Sequence, residues 1–188
     1  MKVVFCASEV YPYAKTGGLA DVCGALPLAL EKLGIEAAIF LPRYQGVDIK
    51  KFGLKEVEQH LWKANLGKQI DVYFVERKEF FDRKGIYGDG SGDFPDNLER
   101  FQSFSWGVLE ALKQLKIQPD VIHCHDWHTA LIPVYLEESF KNDPFYRSLK
   151  SILTIHNLAF QGIFPKQKAR HLHLDHDLKI PAPFDFHS

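Results

Sequence analysis

The sequence predicts an α/β fold built on a doubly wound, mostly parallel β-sheet. Short, continuous apolar runs, typical of strands buried on both faces, alternate with segments that have the spacing of amphipathic helices. A complete strand–helix–strand unit fits within residues 3–41. Such alternation is typical of parallel sheets with helices on both faces. No internal repeat or low-complexity linker divides the 188 residues, so we expect one domain.

The first unit consists of a strand over 3–7, a helix over 19–33 and a second strand over 37–41. The helix carries its apolar residues on one face and is expected to end at Gly34, because glycine tolerates the left-handed conformation that commonly follows a helix. Pro27 lies inside it and is expected to kink the helix or divide it in two, since proline removes a backbone hydrogen bond.

The middle of the chain is less regular. Residues 56–65 and 68–75 are predicted to pair as a β-hairpin. Residues 82–95 are rich in glycine and aspartate and are predicted to form a loop. A long helix over 98–115 follows, with its apolar side chains on one face. Asp96, with a glutamate three residues later, is expected to cap this helix in a variant of the capping box.

The last predicted elements are a strand over 121–124, a helix over 129–139 and a strand over 152–155. The stretch from residue 166 onward is polar and has no clear periodicity. It carries three histidines that we expect to be solvated rather than metal-bound: His171, His173 and His176.

Composition excludes several classes of function. The chain carries 23 basic and 24 acidic residues, for a net charge of −1, so no global field recruits nucleic acid or anionic lipid. No apolar run approaches the ~18 residues of a membrane span, and the N-terminus has no signal-peptide pattern. The cysteines, Cys6, Cys23 and Cys124, are expected to be free buried thiols in a reducing compartment. We therefore expect a cytoplasmic protein without nucleic-acid or membrane partners.

Polar side chains follow three of the predicted strands. In doubly wound sheets, ligands bind outside the carboxyl ends of the strands, so these side chains should line one crevice. They are Glu9 and Lys15 after the first strand, His125, Asp126, Trp127 and His128 after a later one, and His156 and Asn157 after the last.

The segment from Lys15 to Leu19 is a candidate phosphate site. Gly17 and Gly18 let backbone N–H groups approach a ligand closely, the N-terminus of the helix favours anions, and Lys15 supplies a positive charge. A plain strand-to-helix turn with a solvated lysine is the alternative. The segment matches neither the Walker A motif nor the dinucleotide-binding fingerprint.

The run His123-Cys124-His125-Asp126-Trp127-His128 is rich in metal-binding residue types. It lacks the paired spacing of a structural zinc site, and alternation along a strand places Cys124 opposite the neighbouring histidines, so we predict no metal. A tryptophan beside a carboxylate and a histidine suits carbohydrate, although Trp127 packed under the next helix explains the pattern equally well.

His156 and Asn157 end the last predicted strand. A neutral histidine and an amide at this position can bind a sugar hydroxyl or take part in acid–base chemistry. An ordinary structural histidine is the alternative.

Several longer motifs occur along the chain in a characteristic order. They are Ser8-Glu9-Val10, Lys15-Thr16-Gly17-Gly18-Leu19-Ala20-Asp21-Val22, Leu41-Pro42-Arg43-Tyr44, Asp96-Asn97, His125-Asp126-Trp127-His128, and the segment from Thr154 to Gly162. Together they resemble the bacterial glycogen synthase and plant starch synthase family, glycosyltransferases of the GT-B fold. The resemblance runs from Met1 to about Phe186.

This resemblance implies a retaining transfer of glucose from ADP-glucose, or from UDP-glucose, to the non-reducing end of glycogen or another α-1,4-glucan. It implies no cofactor, and a cytoplasmic location or the plastid stroma in a plant. The implied roles are as follows: His156 and Asp21 are catalytic, Lys15, Gly17 and Gly18 bind the donor phosphates, Asn157 binds the donor sugar, and Glu9, Asp126, Trp127 and His128 line the acceptor side. Tyr87 is the candidate for the family's tyrosine in the loop before the long helix.

Members of this family have a second Rossmann-like domain that carries an arginine–lysine pair, a Glu-x7-Glu motif and most contacts to the nucleotide. No two glutamates of this chain are eight positions apart. We therefore expect residues 1–188 to be the N-terminal, acceptor-side domain without the C-terminal nucleotide-binding domain, and to lack turnover alone. A non-catalytic glucan- or nucleotide-binding module of the same fold, and a different two-domain glycosyltransferase, are the alternatives.

Overall fold

The computed structural model describes residues 1–165, 167–168, 172 and 174. Seven strands of this part of the chain form one sheet. They are β1 (Lys2–Cys6), β2 (Glu36–Pro42), β3 (Lys55–Glu58), β4 (Leu61–Leu66), β5 (Ile70–Val75), β6 (Val121–His125) and β7 (Lys150–Thr154). Their spatial order is β3-β4-β5-β2-β1-β6-β7. The five strands from β5 to β7 are parallel, and β3 and β4 are antiparallel to their neighbours.

The helices lie before and after these strands. They are α1 (Gly18–Glu31), α2 (Ile49–Phe52), α3 (Lys78–Phe81), α4 (Asn97–Gln114) and α5 (Leu131–Glu137), with a 3-10 turn at Trp127–Thr129. Both α1 and α4 pack against β2 and β5, and α5 packs against α4 and β7. Val3, Val4, Phe5 and Cys6 are all buried, and successive side chains of a strand point to opposite faces, so β1 is covered on both sides. The predicted doubly wound α/β class is confirmed.

The path of the chain creates one reversal of strand order. From β1 the chain moves outward to β2 and β5, and α4 then returns it to β6 on the other side of β1. Adjacent parallel strands whose connections leave in opposite directions create a crevice at their carboxyl ends. The order therefore places the ligand crevice between β1 and β6, where the polar strand ends were predicted to converge.

The first unit forms as predicted, with one difference. Helix α1 runs through Pro27 as a single helix and ends at Glu31. Pro27 is buried, and the packing of α1 outweighs the backbone hydrogen bond that proline removes. Gly34 follows with a left-handed φ of 77°, as expected after a helix.

The predicted hairpin is formed by β4 and β5, joined through Gly67 at a left-handed φ of 63°. Its first arm is divided near His60 into β3 and β4. Helix α4 confirms the long predicted helix, but the predicted capping box is wrong. The carboxylate of Asp96 accepts two hydrogen bonds from the Arg83 guanidinium, at 3.0 and 2.9 Å, instead of capping the helix. A charged, forked partner from the preceding loop competes successfully for a carboxylate that the backbone binds only weakly.

Helix α5 is shorter than predicted, because the residues after β6 form the 3-10 turn first. The three cysteines are buried and free, as predicted, and burial raises the pKa of the Cys23 thiol to about 12. No helix in the described ranges has the length and apolar character needed to cross a bilayer. His171, His173 and His176 lie outside the described residues.

Candidate functional site

A cavity of about 630 Å³ lies at the carboxyl ends of β1, β6 and β7. Its walls come from the loop after β1, the first turn of α1, the loop before α4, and the segments that follow β6 and β7. The convergence of three strand ends that the sequence predicts is thus observed. A smaller cavity of about 440 Å³ at the amino ends of β2 and β5 contains none of the predicted site residues.

Glu9 is the most highly bonded side chain of the cavity wall, and it is only 3% exposed. Its Oε2 accepts hydrogen bonds from the backbone N–H groups of Thr16 and Gly17, the latter at 3.0 Å. Its Oε1 accepts from the hydroxyls of Thr16 and Tyr87, each at 2.7 Å. Four donors fill the lone-pair positions of a carboxylate, and the positive end of the α1 dipole stabilises the charge. The anion held at this helix N-terminus is therefore the protein's own glutamate.

Lys15 and Asp21 bind each other beside the cavity. The Lys15 ammonium lies 2.6 and 2.7 Å from the two carboxylate oxygens of Asp21, which is in the first turn of α1. Both side chains are about half exposed, at 44% and 55%. An exposed ion pair of this kind is worth at most about 1 kcal/mol. Lys15 is therefore held near the cavity by a bond that is easily exchanged.

A buried arginine holds the loop that carries Tyr87. Arg100, on α4, is fully buried and donates to the carbonyl oxygens of Phe80 and Ile86, each at 2.9 Å. It also donates to Oδ1 of Asn97 at 2.7 Å, and Asn97 donates to the Tyr87 carbonyl at 2.9 Å. The guanidinium lies 4.7 to 5.4 Å from three aromatic ring centroids, those of Phe94, Phe81 and Phe101. The position of Tyr87 thus depends on a cation buried one turn into the long helix.

Asp126 joins the end of β6 to the end of β7. Its backbone N–H donates to the Thr154 carbonyl at 2.8 Å, and its Oδ1 accepts from the His156 backbone N–H at 2.7 Å. Its φ of 58° and ψ of −179° fall in a region that only glycine enters without strain. These two bonds, one to the last residue of β7 and one to the segment after it, hold Asp126 in that conformation. Backbone strain of this kind is concentrated at functional sites. Here the two bonds of Asp126 fix the position of His156 just beyond the end of β7.

Three histidines form a stack under the cavity. The rings of His123 and His125 are 4.2 Å apart, and those of His125 and His156 are 5.1 Å apart. His125 Nδ1 lies 2.8 Å from His156 Nε2, and His123 Nε2 lies 2.7 Å from the Thr154 hydroxyl. Burial and the neighbouring imidazoles lower the pKa of His125 to about 3, so this ring is neutral near pH 7. His156 alone of the three lines the cavity.

His128 and Trp127 close the cavity on the side of α4. The His128 ring stacks on the Tyr87 ring at 4.7 Å, and burial lowers the pKa of His128 to about 3. Trp127 meets Phe101 edge-on at 5.2 Å, and Gly162 lies so close to its indole that a Cβ there would be 2.6 Å from the ring. Trp127 therefore lines the cavity, and it packs against Phe101 of α4 rather than under the helix that follows it. Its binding of carbohydrate stays a prediction.

The side chains of the run from His123 to His128 do not converge as a metal-ligand set. Cys124 is buried in the sheet, where it pairs in register with Cys6 of β1. In the part of the chain that the structure describes, no group of three or more histidine, cysteine or acidic side chains has the geometry of a metal site.

The comparisons with known proteins agree with this geometry. The family described as "Starch synthase catalytic domain" matches residues 2–188. The chain belongs to this family. Glycogen synthases from Geotalea daltonii and Bacillus subtilis are 44% and 43% identical to it over 190 and 177 residues, which cover 95% and 88% of this chain. The chain spans only 39% and 36% of the lengths of these two relatives.

A solved structure agrees as well. The catalytic domain of starch synthase IV from Arabidopsis thaliana, bound to ADP and acarbose, is 31% identical and superposes with a TM-score of 0.77. The match covers 86% of this chain and 35% of that domain. The resemblance to glycogen and starch synthases and the expected GT-B type of fold are therefore confirmed.

Within this starch synthase family fold, eight of the ten predicted site residues line the cavity. They are Glu9, Gly17, Gly18, Asp126, Trp127, His128, His156 and Asn157. Lys15 and Asp21 lie beside it as the ion pair described above. The sequence predicted free N–H groups at Gly17 for a ligand, but the Gly17 N–H donates to Glu9. The pattern could not reveal this, because the carboxylate comes from a different position of the same loop.

Sequence reasoning missed several residues of the site. Thr16, Asn97 and Phe160 line the cavity, and Arg100 supports it from below. The spacing of Arg100 could have revealed its burial. It lies three residues after Asn97 and four before Phe104, so it falls on the buried face of α4. A charged residue on an apolar face indicates a buried polar partner, and here the partners are loop carbonyls.

Proposed function

We propose that this chain is the acceptor-side domain of a glucosyltransferase that moves glucose from ADP-glucose to the non-reducing end of an α-1,4-glucan with retention. UDP-glucose is the alternative donor. The observation that carries the proposal is the cavity of a starch synthase family member in which three strand ends bring together carboxylate, amide, imidazole and indole groups. Pockets with a few converging polar groups among apolar walls are typical of small-ligand sites.

The donor phosphates bind beside the first turn of α1. Gly17 and Gly18 have no atom within 4 Å of a Cβ placed on them, so a ligand can approach their backbone. Lys15 exchanges its exposed bond with Asp21 for a bond to a phosphate oxygen at little cost. Asp21 holds Lys15 in reach until the donor arrives. The related starch synthase IV domain is bound to ADP, which supports a nucleoside diphosphate as the leaving group.

The sugars occupy the part of the cavity at the carboxyl ends of β6 and β7. His156 and Asn157 contact the transferred glucose, and Asp126, Trp127 and His128 shape the acceptor side. Glu9 contributes by fixing the loop rather than by binding glucan directly, because its oxygens are already filled by four protein donors. Acarbose on the related starch synthase IV domain supports a sugar-like acceptor.

The isolated chain does not catalyse glucose transfer. The Glu-x7-Glu pair that the family uses is lacking in its 188 residues, and the chain spans 39% of the length of a glycogen synthase relative. Half of a donor site binds a nucleotide sugar without closing around it, and the exclusion of water that glycosyl transfer requires is then missing. We therefore propose that a C-terminal nucleotide-binding domain completes the donor site.

The experiment is a fusion of this chain to the remainder of the Bacillus subtilis glycogen synthase. Transfer of radiolabelled glucose to glycogen is measured from ADP-glucose and, in parallel, from UDP-glucose. We expect no transfer by the isolated chain, transfer by the fusion, and loss of that transfer in His156→Ala and Lys15→Ala fusions. Transfer by the isolated chain would contradict the proposed inactivity.

A non-catalytic binding module gives a different result. It predicts glycogen affinity that Trp127→Ala weakens, together with no transfer by a folded fusion. Substrate profiling of the fusion with other nucleotide sugars separates a glycosyltransferase of different specificity from a glycogen synthase.

A further inference from the structure

The contact between His125 and His156 constrains the protons of both rings. His125 Nδ1 lies 2.8 Å from His156 Nε2, so one of these two nitrogens donates and the other accepts. His125 is fully buried at the end of β6, whereas His156 is exposed and lines the cavity. The buried ring is therefore fixed, and the exposed ring is the one whose state a ligand meets.

His125 is held rigidly. Its backbone N–H donates to the Thr129 hydroxyl at 2.7 Å, and that hydroxyl donates back to the His125 carbonyl at 3.0 Å. Its ring stacks between neighbours, 4.2 Å from His123 and 5.9 Å from Phe5. Rotation of the ring would break this stack and the contact with His156 together. Its Nδ1 is thus held in position beside His156.

The charge state of His125 leaves it a single ring proton. Burial is the largest cause that keeps its pKa near 3, and the neighbouring His123 and His156 add to it. A neutral imidazole has one N–H donor and one bare acceptor nitrogen. The proton of His125 is therefore on Nδ1 or on Nε2, and the two positions have different surroundings.

The surroundings favour Nδ1. His125 Nε2 is buried and has no hydrogen-bond partner among the residues that the structure describes. A proton on Nε2 would be a buried N–H without an acceptor, which folded proteins avoid more strictly than a bare acceptor. A proton on Nδ1 instead donates to His156 Nε2.

We propose that His125 is a positioning residue that fixes the tautomer of His156. Because Nε2 of His156 accepts the proton of His125, the neutral His156 ring carries its own proton on Nδ1. His156 is exposed and lines the cavity, so this proton is available to a molecule bound there. His156 therefore presents an N–H donor, and not a bare nitrogen, to a molecule in the cavity.

The consequence for the site is a defined hydrogen-bond polarity. A donor at His156 binds the oxygen of a sugar hydroxyl or a phosphate and does not remove a proton from it. This consequence rests on the proposed function, since it assumes that the cavity binds a nucleotide sugar or glucan. The tautomer itself does not rest on it, because it follows from contacts of the free chain.

The test is a long-range proton–nitrogen NMR correlation of the histidine rings in the 15N-labelled chain at pH 8, where an ordinary histidine is neutral. In the wild type we expect a protonated Nδ1 and a bare Nε2 at His156. His125→Phe keeps a stacked ring but removes the donor, so His156 should shift toward the Nε2–H form that free histidine favours. His125→Asn retains an amide N–H close to the former Nδ1 and should preserve the wild-type pattern.

His123→Phe is the matched control. His123 belongs to the same stack but bonds to Thr154, so its removal should leave the His156 tautomer unchanged. A protonated Nε2 at His156 in the wild type overturns the proposal even if a variant fails to fold. An unchanged tautomer in folded His125→Phe overturns it as well.

A separate titration tests the proposed function. ADP-glucose and a maltooligosaccharide are each added to the labelled chain fused to the remainder of the Bacillus subtilis glycogen synthase, and the His156 Nδ1–H signal is followed. If the signal does not move while the tautomer is as expected, the proposed ligand class is wrong and the positioning role of His125 stands.

Discussion

Glu9 shows how one side chain organises the whole crevice. Its carboxylate accepts from the loop before α1 and from Tyr87, which lies 78 residues further along the chain. A buried charge is stable only when its hydrogen bonds are complete, and here the α1 dipole adds to four donors. The loop after β1 and the loop before α4 are therefore fixed by the same group.

The Tyr87 hydroxyl is the link between these loops. It donates to Glu9 at 2.7 Å and is 2.7 Å from the Ser8 hydroxyl, which can donate to it. Tyr87→Phe should lower the free energy of unfolding by about 2 kcal/mol, because a hydrogen bond to a buried carboxylate is lost. Urea unfolding measures this change. Tyr11→Phe, at a tyrosine that is 57% exposed, is the control and should change stability by less than about 0.5 kcal/mol.

Arg100 provides a second prediction at the scale of single residues. Arg100→Met removes three hydrogen bonds and leaves the Phe80 and Ile86 carbonyls without their donor, so we expect a loss of about 3 kcal/mol or more. Arg100→Lys should not rescue stability, since an ammonium cannot reach acceptors on both sides as the guanidinium fork does. Full stability in Arg100→Lys would contradict this explanation. The exposed Arg147→Met serves as the control in the same urea titration.

At the scale of elements, α1 packs closely against the loop that follows β1. A Cβ placed on Gly24 would lie 2.7 Å from the Tyr11 carbonyl oxygen, which belongs to the backbone and cannot move aside alone. The packing of this helix therefore requires a glycine at its centre, even though glycine costs about 1 kcal/mol in a helix relative to alanine.

Two glycine variants test this seating. Gly24→Ala should destabilise the protein by about 1–3 kcal/mol, since overpacking outweighs the gain in helix propensity. Gly18→Ala, in the same helix with no atom within 4 Å of its Cβ, should leave stability unchanged or raise it by up to about 1 kcal/mol. The midpoints of thermal unfolding compare the two. Equal effects in both variants would show that propensity alone decides.

Contacts between neighbouring elements also explain the strained backbone of Asp126. The end of β6 and the end of β7 are parallel neighbours, and Asp126 binds the backbone of Thr154, the last residue of β7, and of His156 just after it. Pairing of the two strands thus holds a conformation that the isolated segment would avoid. Packing between elements supplies the precision that the site needs.

For the whole molecule, buried histidines make stability depend on pH. The pKa values of His125 and His128 fall from 6.5 to about 3 on folding. Between these values the unfolded chain binds more protons than the folded protein, so the stability that the two neutral rings contribute is fully present above about pH 6.5 and falls as the pH decreases. Each histidine contributes a slope of up to about 1.4 kcal/mol per pH unit in this range.

His128→Gln isolates one of these contributions. Between pH 7.5 and 5 the wild type should lose about 2 kcal/mol more stability than the variant, because the variant no longer has this proton to bind on unfolding. Urea unfolding at both pH values provides the comparison. A pH dependence identical in the two proteins would mean that His128 is not kept neutral by burial.

Most of the fold could be predicted from the chain alone, because each element carries its own pattern. The apolar run of β1, the spaced apolar residues of α4 and the hairpin turn at Gly67 are local signals. The capping of α4 was mispredicted because Arg83, which binds Asp96, comes from a loop without periodicity. The short α3 was missed because a single helical turn has no pattern to detect.

The site divides in the same way. The sequence by itself determined which residues meet, since parallel strands bring their carboxyl ends to one edge and Glu9, Asp126 and His156 each follow such a strand. Only the tertiary structure decided what each residue does there. In the folded protein, Glu9 accepts hydrogen bonds at the N-terminus of α1, and Lys15 binds Asp21. Arg100 is buried and supports the loop that carries Tyr87. The ring of His125 contacts His156. Residue type and spacing specify positions along the chain, whereas hydrogen bonds and burial depend on partners that folding brings from elsewhere.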